Sequence, residues 1–342
     1  GVNTSKLYRM EQFVDNFPNE EAHLTGEEIH RRLDEIEQIH AIYSPARLGL
    51  AAAIACCAFT FLLGGGPIEM MLAFIAAGIG NLIRTKLIKH HFTLFLNIAV
   101  SISASCFIYA ALLKIAEMAF NVPSIHEAGY ICSMLFIIPG FPFITSGIDL
   151  AKLDLRSGLE RLAYAIIIVM VATMFAWIMA LLLRLQPMDF EDLNLTPVLH
   201  LILRLIMSFF GVFGFSIMFN SPASMAATAA LIGAIANSLR LELVDLTGMP
   251  APAAAFAGAL TAGLLASFIK ENNGYPRISL TVPSIVIMVP GLYLYRAIYN
   301  FGIMALSDAV SWFASAIMII IALPLGLIFA RILTDKTFRY CT

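Results

Sequence analysis

The sequence predicts an all-α, polytopic membrane protein of about ten transmembrane helices, and three observations carry that reading. Of its 342 residues, 60% are hydrophobic and 13% charged, with a mean hydropathy of +0.85. A soluble domain runs at about 45–50% apolar and about 25% charged, so this apolar mass exceeds what a soluble core can hide. Ten apolar segments follow one another, most of them near the roughly 20 residues that a helix needs to cross a bilayer. The run from Leu162 to Leu183 is continuously apolar, whereas the strands of an outer-membrane barrel alternate. A soluble enzyme, a nucleic-acid binder and a disordered chain are excluded.

Residues 1–46 form the one polar segment of any size and are expected to be a cytoplasmic N-terminal segment. Thr25-Gly26-Glu27-Glu28 fits the S/T-x-x-E capping box, and Ile29, Leu33, Ile36 and Ile42 recur at helical spacing. A short amphipathic helix ending near Ser44-Pro45 is predicted. No cleavable signal peptide is visible, and because the opening Gly1-Val2-Asn3 has no initiator Met, either a trimmed or an engineered start is expected.

The apolar segments are 48–63, 67–83, 92–113, 128–148, 162–183, 197–219, 222–239, 251–269, 279–301 and 309–330. Gly64-Gly65-Gly66-Pro67 and Asn220-Ser221-Pro222 are tight hairpin turns with no room for a loop domain. With the N-terminus inside, sixteen Lys and Arg fall on the cytoplasmic side and four outside, while Arg204 lies within a span. That bias predicts an even number of spans with both termini cytoplasmic.

The segments divide into two sets of five, residues 47–190 and 191–342. Sliding the chain by 156 matches Ile79 to Ile235, Asn81 to Asn237, Arg84 to Arg240 and Leu87 to Leu243. Further on, Pro139-Gly140 in span four pairs with Pro290-Gly291 in span nine. Because five is odd, the second set must enter the membrane from the opposite side, as in inverted-repeat transporters.

The Pro-Gly pairs predict where chemistry sits. Each lies about ten residues into its span, near the midplane. Proline lacks an N–H and glycine permits unusual backbone, so each helix should break there. A break frees backbone amides, tolerable only beside protein or a water-filled cavity. In span four the second half-helix starts near Phe141-Pro142, presenting its positive end to an anion such as a carboxylate. Thr145, Ser146 and Asp149 follow and can bond a hydroxyl or ammonium group. In span nine, Pro290-Gly291 is followed by Tyr293 and Arg296. Arg204 is an intramembrane cation suited to a carboxylate or an internal acid. Asn81 and Asn237 are interhelical glue or solute ligands. Glu69 and Asp308 fall near outer ends, where solvation is expected.

Net charge is −2, which names no partner. Cys56, Cys57, Cys106 and Cys132 lie in apolar runs and Cys341 in a polar tail, and they read as core side chains rather than disulfides or metal ligands. The sequence contains no P-loop, H-E-x-x-H, G-x-S-x-G or potassium-filter tract. The expectation is therefore a transporter and not an enzyme, with no cofactor or metal; any energy it uses must come from an ion gradient. Its partners are the lipid bilayer and a small solute, with no nucleic acid; a homo-oligomer is compatible with the sequence.

Leu33-Asp34-Glu35-Ile36, the Phe61-Leu62-Leu63-Gly64-Gly65-Gly66 hairpin, the first Pro-Gly followed by Asp149-Leu150, Phe219-Asn220-Ser221-Pro222, and the second Pro-Gly followed by Tyr293 and Tyr295-Arg296 form an ordered set. That set resembles the threonine/serine exporter (ThrE) family over nearly the whole chain. The resemblance implies an inner-membrane exporter of threonine and serine driven by the proton-motive force. Related two-subunit systems are associated with succinate export, which keeps a dicarboxylate as the alternative solute and a passive channel as another. The family usually begins with a further cytosolic stretch bearing a G-x-E-x-x-R-V-E-like motif, which this sequence does not contain.

Overall fold

Nearly every residue that the computed structural model describes lies in a helix or a turn between helices; the described residues are 2–18, 23–121 and 123–339. Cys341 lies outside them. Two helices precede the membrane segments. α1 (Thr4–Asn16) was not expected; Asn3 caps it by accepting the Lys6 N–H at 3.2 Å. α2 (Gly26–Glu37) starts on the predicted capping box, with Thr25 and Glu28 bonded reciprocally. It stops at Glu37, before the predicted end, because Ser44 serves instead as the N-cap of α3 with Pro45 in the first turn.

The membrane portion begins with α3 (Pro45–Leu62), α4 (Pro67–Lys89) and α5 (Leu94–Phe120). A short helical stretch, with α6 (Tyr130–Ser133) at its centre, then leads to α7 (Gly140–Ala151) and the long α8 (Leu155–Leu183). α9 (Pro197–Met218), α10 (Ala223–Thr247) and α11 (Ala251–Asn273) follow. α12 (Arg277–Val286), α13 (Gly291–Gly302), α14 (Leu306–Thr334) and the short α15 (Lys336–Arg339) complete the chain. Among the described residues, eight helices are long and apolar enough to cross a membrane. Counting each of two bent pairs, Ile125–Ile137 with α7 at 55° and α12 with α13 at 47°, as one span gives up to ten. Both bends fall at the predicted Pro-Gly pairs.

The two sets of five carry the same turns at the same offsets. After α3, Gly64 has φ 104°, and the Gly65 N–H donates to Thr60 O at 2.8 Å; after α9, Asn220 has φ 60°, and the Ser221 N–H donates to Ser216 O at 3.1 Å. These positions differ by 156, the offset that relates Asn81 to Asn237. Between α7 and α8, Leu153 has φ 64°; between α13 and α14, Met304 has φ 62°. Their separation of 151 is that of the two Pro-Gly pairs. A left-handed residue is costly outside glycine and asparagine, so its recurrence at Leu153 and Met304 marks a shared backbone design.

Residues of the first and second sets of helices pack together at several places, among them α3 on α9, α7 on α14 and α8 on α13. A Cβ on Gly214 would lie 2.6 Å from Ala51 O and 3.0 Å from Ala55 Cβ, so only glycine lets these backbones approach so closely. The turn after α9 sits at the start of α3: the Ile42 N–H donates to Asn220 Oδ1 at 2.7 Å, and the Tyr43 hydroxyl donates to Ser221 O at 2.8 Å. α1 is tied to the same turn through Thr4, whose N–H donates to Phe219 O at 3.0 Å.

Candidate functional site

Each break is built by one local device. Pro139 has φ −82° and ψ 61°, Pro290 φ −82° and ψ 54°, values near those of an inverse γ-turn. The closing bonds are present: the Gly140 N–H donates to Ile138 O at 2.8 Å and the Gly291 N–H to Val289 O at 2.9 Å. The helix restarts when the Phe143 N–H reaches Pro139 O at 3.1 Å and the Leu294 N–H reaches Pro290 O at 3.0 Å. Between these bonds the Phe141 N–H in the first break, and those of Leu292 and Tyr293 in the second, have no partner among the described residues. Pro142 has no N–H to offer.

The breaks lie against one another. A Cβ on Gly140 would meet Val286 Cγ2 at 2.3 Å, and one on Gly291 would meet Leu135 Cδ2 at 3.0 Å. Phe59, Leu135, Ile138, Phe215, Val286 and Val289 surround the two glycines and leave a void of about 10 Å³. That is scarcely room for one water, so the crossing is an apolar seal.

A cavity of about 480 Å³ opens beside the first break, within the range of small-ligand sites. Pro139, Gly140, Phe141 and Pro142 line one wall; Asn81, Arg84 and Thr85 of α4 line another, with Tyr164 of α8, Phe215 of α9 and Phe219 just beyond it. Val2 stands in the lining, which places the cavity toward the end of the bundle carrying α1. No acid pairs with the Arg84 guanidinium among the described residues. Asn81 Nδ2 donates to Leu48 O at 2.8 Å, which fixes the amide and leaves a buried Oδ1 that accepts nothing. One cation, one free amide N–H and one free amide oxygen therefore gather at the break.

The other residues expected at the site are placed as follows. Thr145 and Ser146 are buried on α7, but their hydroxyls donate to its own carbonyls, Phe141 O at 3.0 Å and Phe143 O at 2.8 Å. Asp149 accepts from Arg161 Nη1 of α8 at 2.7 Å. Arg204 is held by Glu242 at 2.7 Å and by Asp245, both on α10. Arg296 donates to Asp189 Oδ1 at 2.8 Å and lies over the Trp312 ring, against which Tyr293 also packs. Asn237 donates to Ser208 Oγ of α9 at 2.8 Å. Asp308 is exposed as expected. Glu69 is a correction: it is 4% exposed, not solvated, because its carboxylate accepts from the Gly66 N–H at 3.0 Å and contacts His126 Nδ1 at 2.6 Å.

Arg84 was missed as a site residue. In sequence it belongs to a basic run with Lys86 and Lys89 that reads as an interfacial charge marker. Its place three residues after Asn81, repeated in Arg240 after Asn237, was the available signal.

Comparison with known proteins bears on both halves. A family model for threonine/serine exporters matches residues 1–183, and a second, described as "Threonine/Serine exporter, ThrE", matches residues 204–333. The chain is 28% identical over 153 residues to the "Probable succinate transporter subunit YjjP" of Escherichia coli K12, covering 45% of this chain and 57% of that protein. It is 25% identical over 158 residues to the protein of the same name from Klebsiella aerogenes, covering 46% of this chain and 58% of that one. It is also 25% identical over 198 residues to pheromone-regulated membrane protein 10 of Debaryomyces hansenii, covering 52% of this chain and 18% of that protein. The chain thus spans less than two thirds of these relatives. No solved structure matches it. By the match of its first 183 residues and of most of the remainder, this chain belongs to the threonine/serine exporter (ThrE) family.

Proposed function

We propose that this chain is a secondary transporter that exports small neutral amino acids of the threonine and serine type, coupled to the proton-motive force. The observation that carries the reading is the cavity at the first helix break, with the Arg84 guanidinium unpaired and the Phe141 N–H free. A guanidinium and a helix N-terminus suit a carboxylate, and the Asn81 Oδ1 suits a donor such as a hydroxyl or ammonium. The apolar seal around Gly140 and Gly291 separates this cavity from the opposite face, as alternating access requires. The turn after α9 lying at the start of α3 supports the inverted relation of the halves, and the Lys and Arg bias supports a cytoplasmic N-terminal face in a bacterial inner membrane. Pro290, Gly291, Tyr293 and Arg296 belong to the second break of the same mechanism.

A dicarboxylate such as succinate is the second reading. The cavity lining holds a cation and no carboxylate to balance an ammonium group, and the YjjP proteins are named for succinate. Counterflow of labelled threonine, serine and succinate in proteoliposomes, with and without an imposed proton gradient, separates the two and tests the coupling. Loss of a charge-assisted hydrogen bond costs about 1.5–3 kcal/mol, roughly 10- to 150-fold in affinity, so Arg84→Ala should raise the half-saturating concentration by that factor. Counterflow unchanged by Arg84→Ala would defeat the site.

A further inference from the structure

Arg240 has no role in the site described so far. It stands 156 positions after Arg84 and three after Asn237, as Arg84 stands three after Asn81. Both asparagines spend their Nδ2 on the neighbouring helix and keep a buried Oδ1 that accepts nothing. The Arg240 Nε is also buried without a partner, and no acid pairs with the side chain among the described residues. Arg204, the other cation of these helices, is already held by Glu242 and Asp245. The stem is packed close: a Cβ on Gly258 would lie 3.2 Å from Arg240 Cβ and 3.2 Å from Met288 Cε. A cation held in a membrane span without a counter-charge is expensive, and such a residue is a functional candidate with a missing anion.

The second break supplies the rest. Tyr293 stands 151 positions after Pro142, in the lining position of the first cavity, and here both the Leu292 and Tyr293 N–H groups are free. We infer that Arg240, Asn237 and the N-terminus of α13 form a second carboxylate-binding site, the counterpart of the Arg84 cavity. It receives the solute when the protein opens to the face opposite the N-terminal helices. By the offsets that relate the two halves, one site falls beside each break. One is open and the other packed, the asymmetry that an alternating pair shows in either of its end states. This inference rests on the transport reading above and extends it by a second station for the same solute.

The test compares both faces. Arg84→Ala, Arg240→Ala and Arg240→Gln are reconstituted, and uptake of labelled threonine and of labelled succinate is measured from each face in vesicles of known orientation. Arg240→Gln removes the charge but keeps a polar, partly filling side chain, and it serves if the alanine variant fails to fold. Arg240 variants should raise the half-saturating concentration at the face opposite the N-terminal helices at least tenfold and leave it within twofold at the N-terminal face. Arg84→Ala should do the reverse. Arg240 variants that change neither face, or both equally as a packing defect would, overturn the second site while an Arg84 effect keeps the transport reading. An unsubstituted protein that carries neither solute, or an Arg84→Ala variant without effect at either face, overturns the transport reading first.

Discussion

Gly140→Ala probes the crossing of the two breaks. Its Cβ would sit 2.3 Å from Val286 Cγ2 and 3.2 Å from Val289 Cγ2, where carbon atoms rest at about 3.5–4.0 Å. Something must move by about 1 Å or more, and both valines are only 5% exposed, with nowhere to retreat. Overpacking of this kind costs about 1–3 kcal/mol. A glycine-to-alanine change at a permissive backbone recovers about 0.4–1 kcal/mol through the unfolded chain, and φ at Gly140 is not positive. The net expectation is a loss of about 1–2 kcal/mol. Gly291→Ala differs: its nearest atoms are Leu135 Cδ2 at 3.0 Å and Ile138 Cγ1 at 3.2 Å, and a terminal leucine methyl can yield. That variant should be close to neutral. Adding Val286→Ala should restore Gly140→Ala, giving a coupling of about 1 kcal/mol or more in a double-mutant cycle. Equilibrium unfolding in mixed micelles of rising SDS content measures the unsubstituted protein, Gly140→Ala, Gly291→Ala, Val286→Ala and the Gly140→Ala/Val286→Ala double variant. Equal stability of Gly140→Ala and Gly291→Ala, or no coupling to Val286, would refute the packed crossing.

Three further outcomes follow from the same geometry. His126→Ala strands Glu69, whose side chain is 5% exposed, and should cost about 3 kcal/mol as a broken buried pair; Glu69→Gln, which keeps a hydrogen-bonding group facing His126, should cost clearly less in the same unfolding assay. Thr4→Val removes the hydroxyl that meets Ser221 Oγ at 2.7 Å and leaves that buried partner unsatisfied, about 1–3 kcal/mol locally. Limited proteolysis within residues 2–18 should then accelerate without change in the melting of the bundle. Hydrogen bonds from the Thr25 amide and hydroxyl hold the Glu28 carboxyl below its ordinary value of 4.5. Because the folded value is the lower one, the stabilisation is complete above that ordinary value and fades as pH falls through the folded one. Hydrogen exchange at the first turn of α2, corrected for the intrinsic rate, should therefore speed up on acidification below about 4.5. Exchange that is flat over that window in the unsubstituted protein, or equally pH-dependent in Thr25→Ala, would contradict the capping box.

The spans and their breaks were legible because they depend on local chemistry. Apolar length sets a span, and Pro139 and Pro290 interrupt a hydrogen-bond ladder wherever they stand. The capping box of α2 was legible for the same reason. α1 left a fainter trace: Asn3 as a cap, with Leu7, Met10, Val14 and Phe17 at helical spacing, hidden by the polar composition around them. What could not be read was pairing across the bundle. Glu69 is buried because His126, 57 residues later, arrives beside it. Arg204 is engaged because Glu242 and Asp245 face it from the next helix. No acid among the described residues does the same for Arg84, and a local pattern cannot display a missing partner.

The γ-turns at Pro139 and Pro290 also decide how these helices can bend. In an unbroken helix, a kink must sever or stretch bonds in the ladder. Here the ladder ends at the turn and begins anew after it, so tilting α7 or α13 breaks no helical bond. The proline ring restricts φ, and the bonds from Phe143 to Pro139 O and from Leu294 to Pro290 O span the torsions of the following glycine, which leaves ψ of the proline as the soft coordinate. A swing about it costs the single γ-turn bond and no bond of the restarted helix, so the geometry of each break favours a guided hinge over a loose joint.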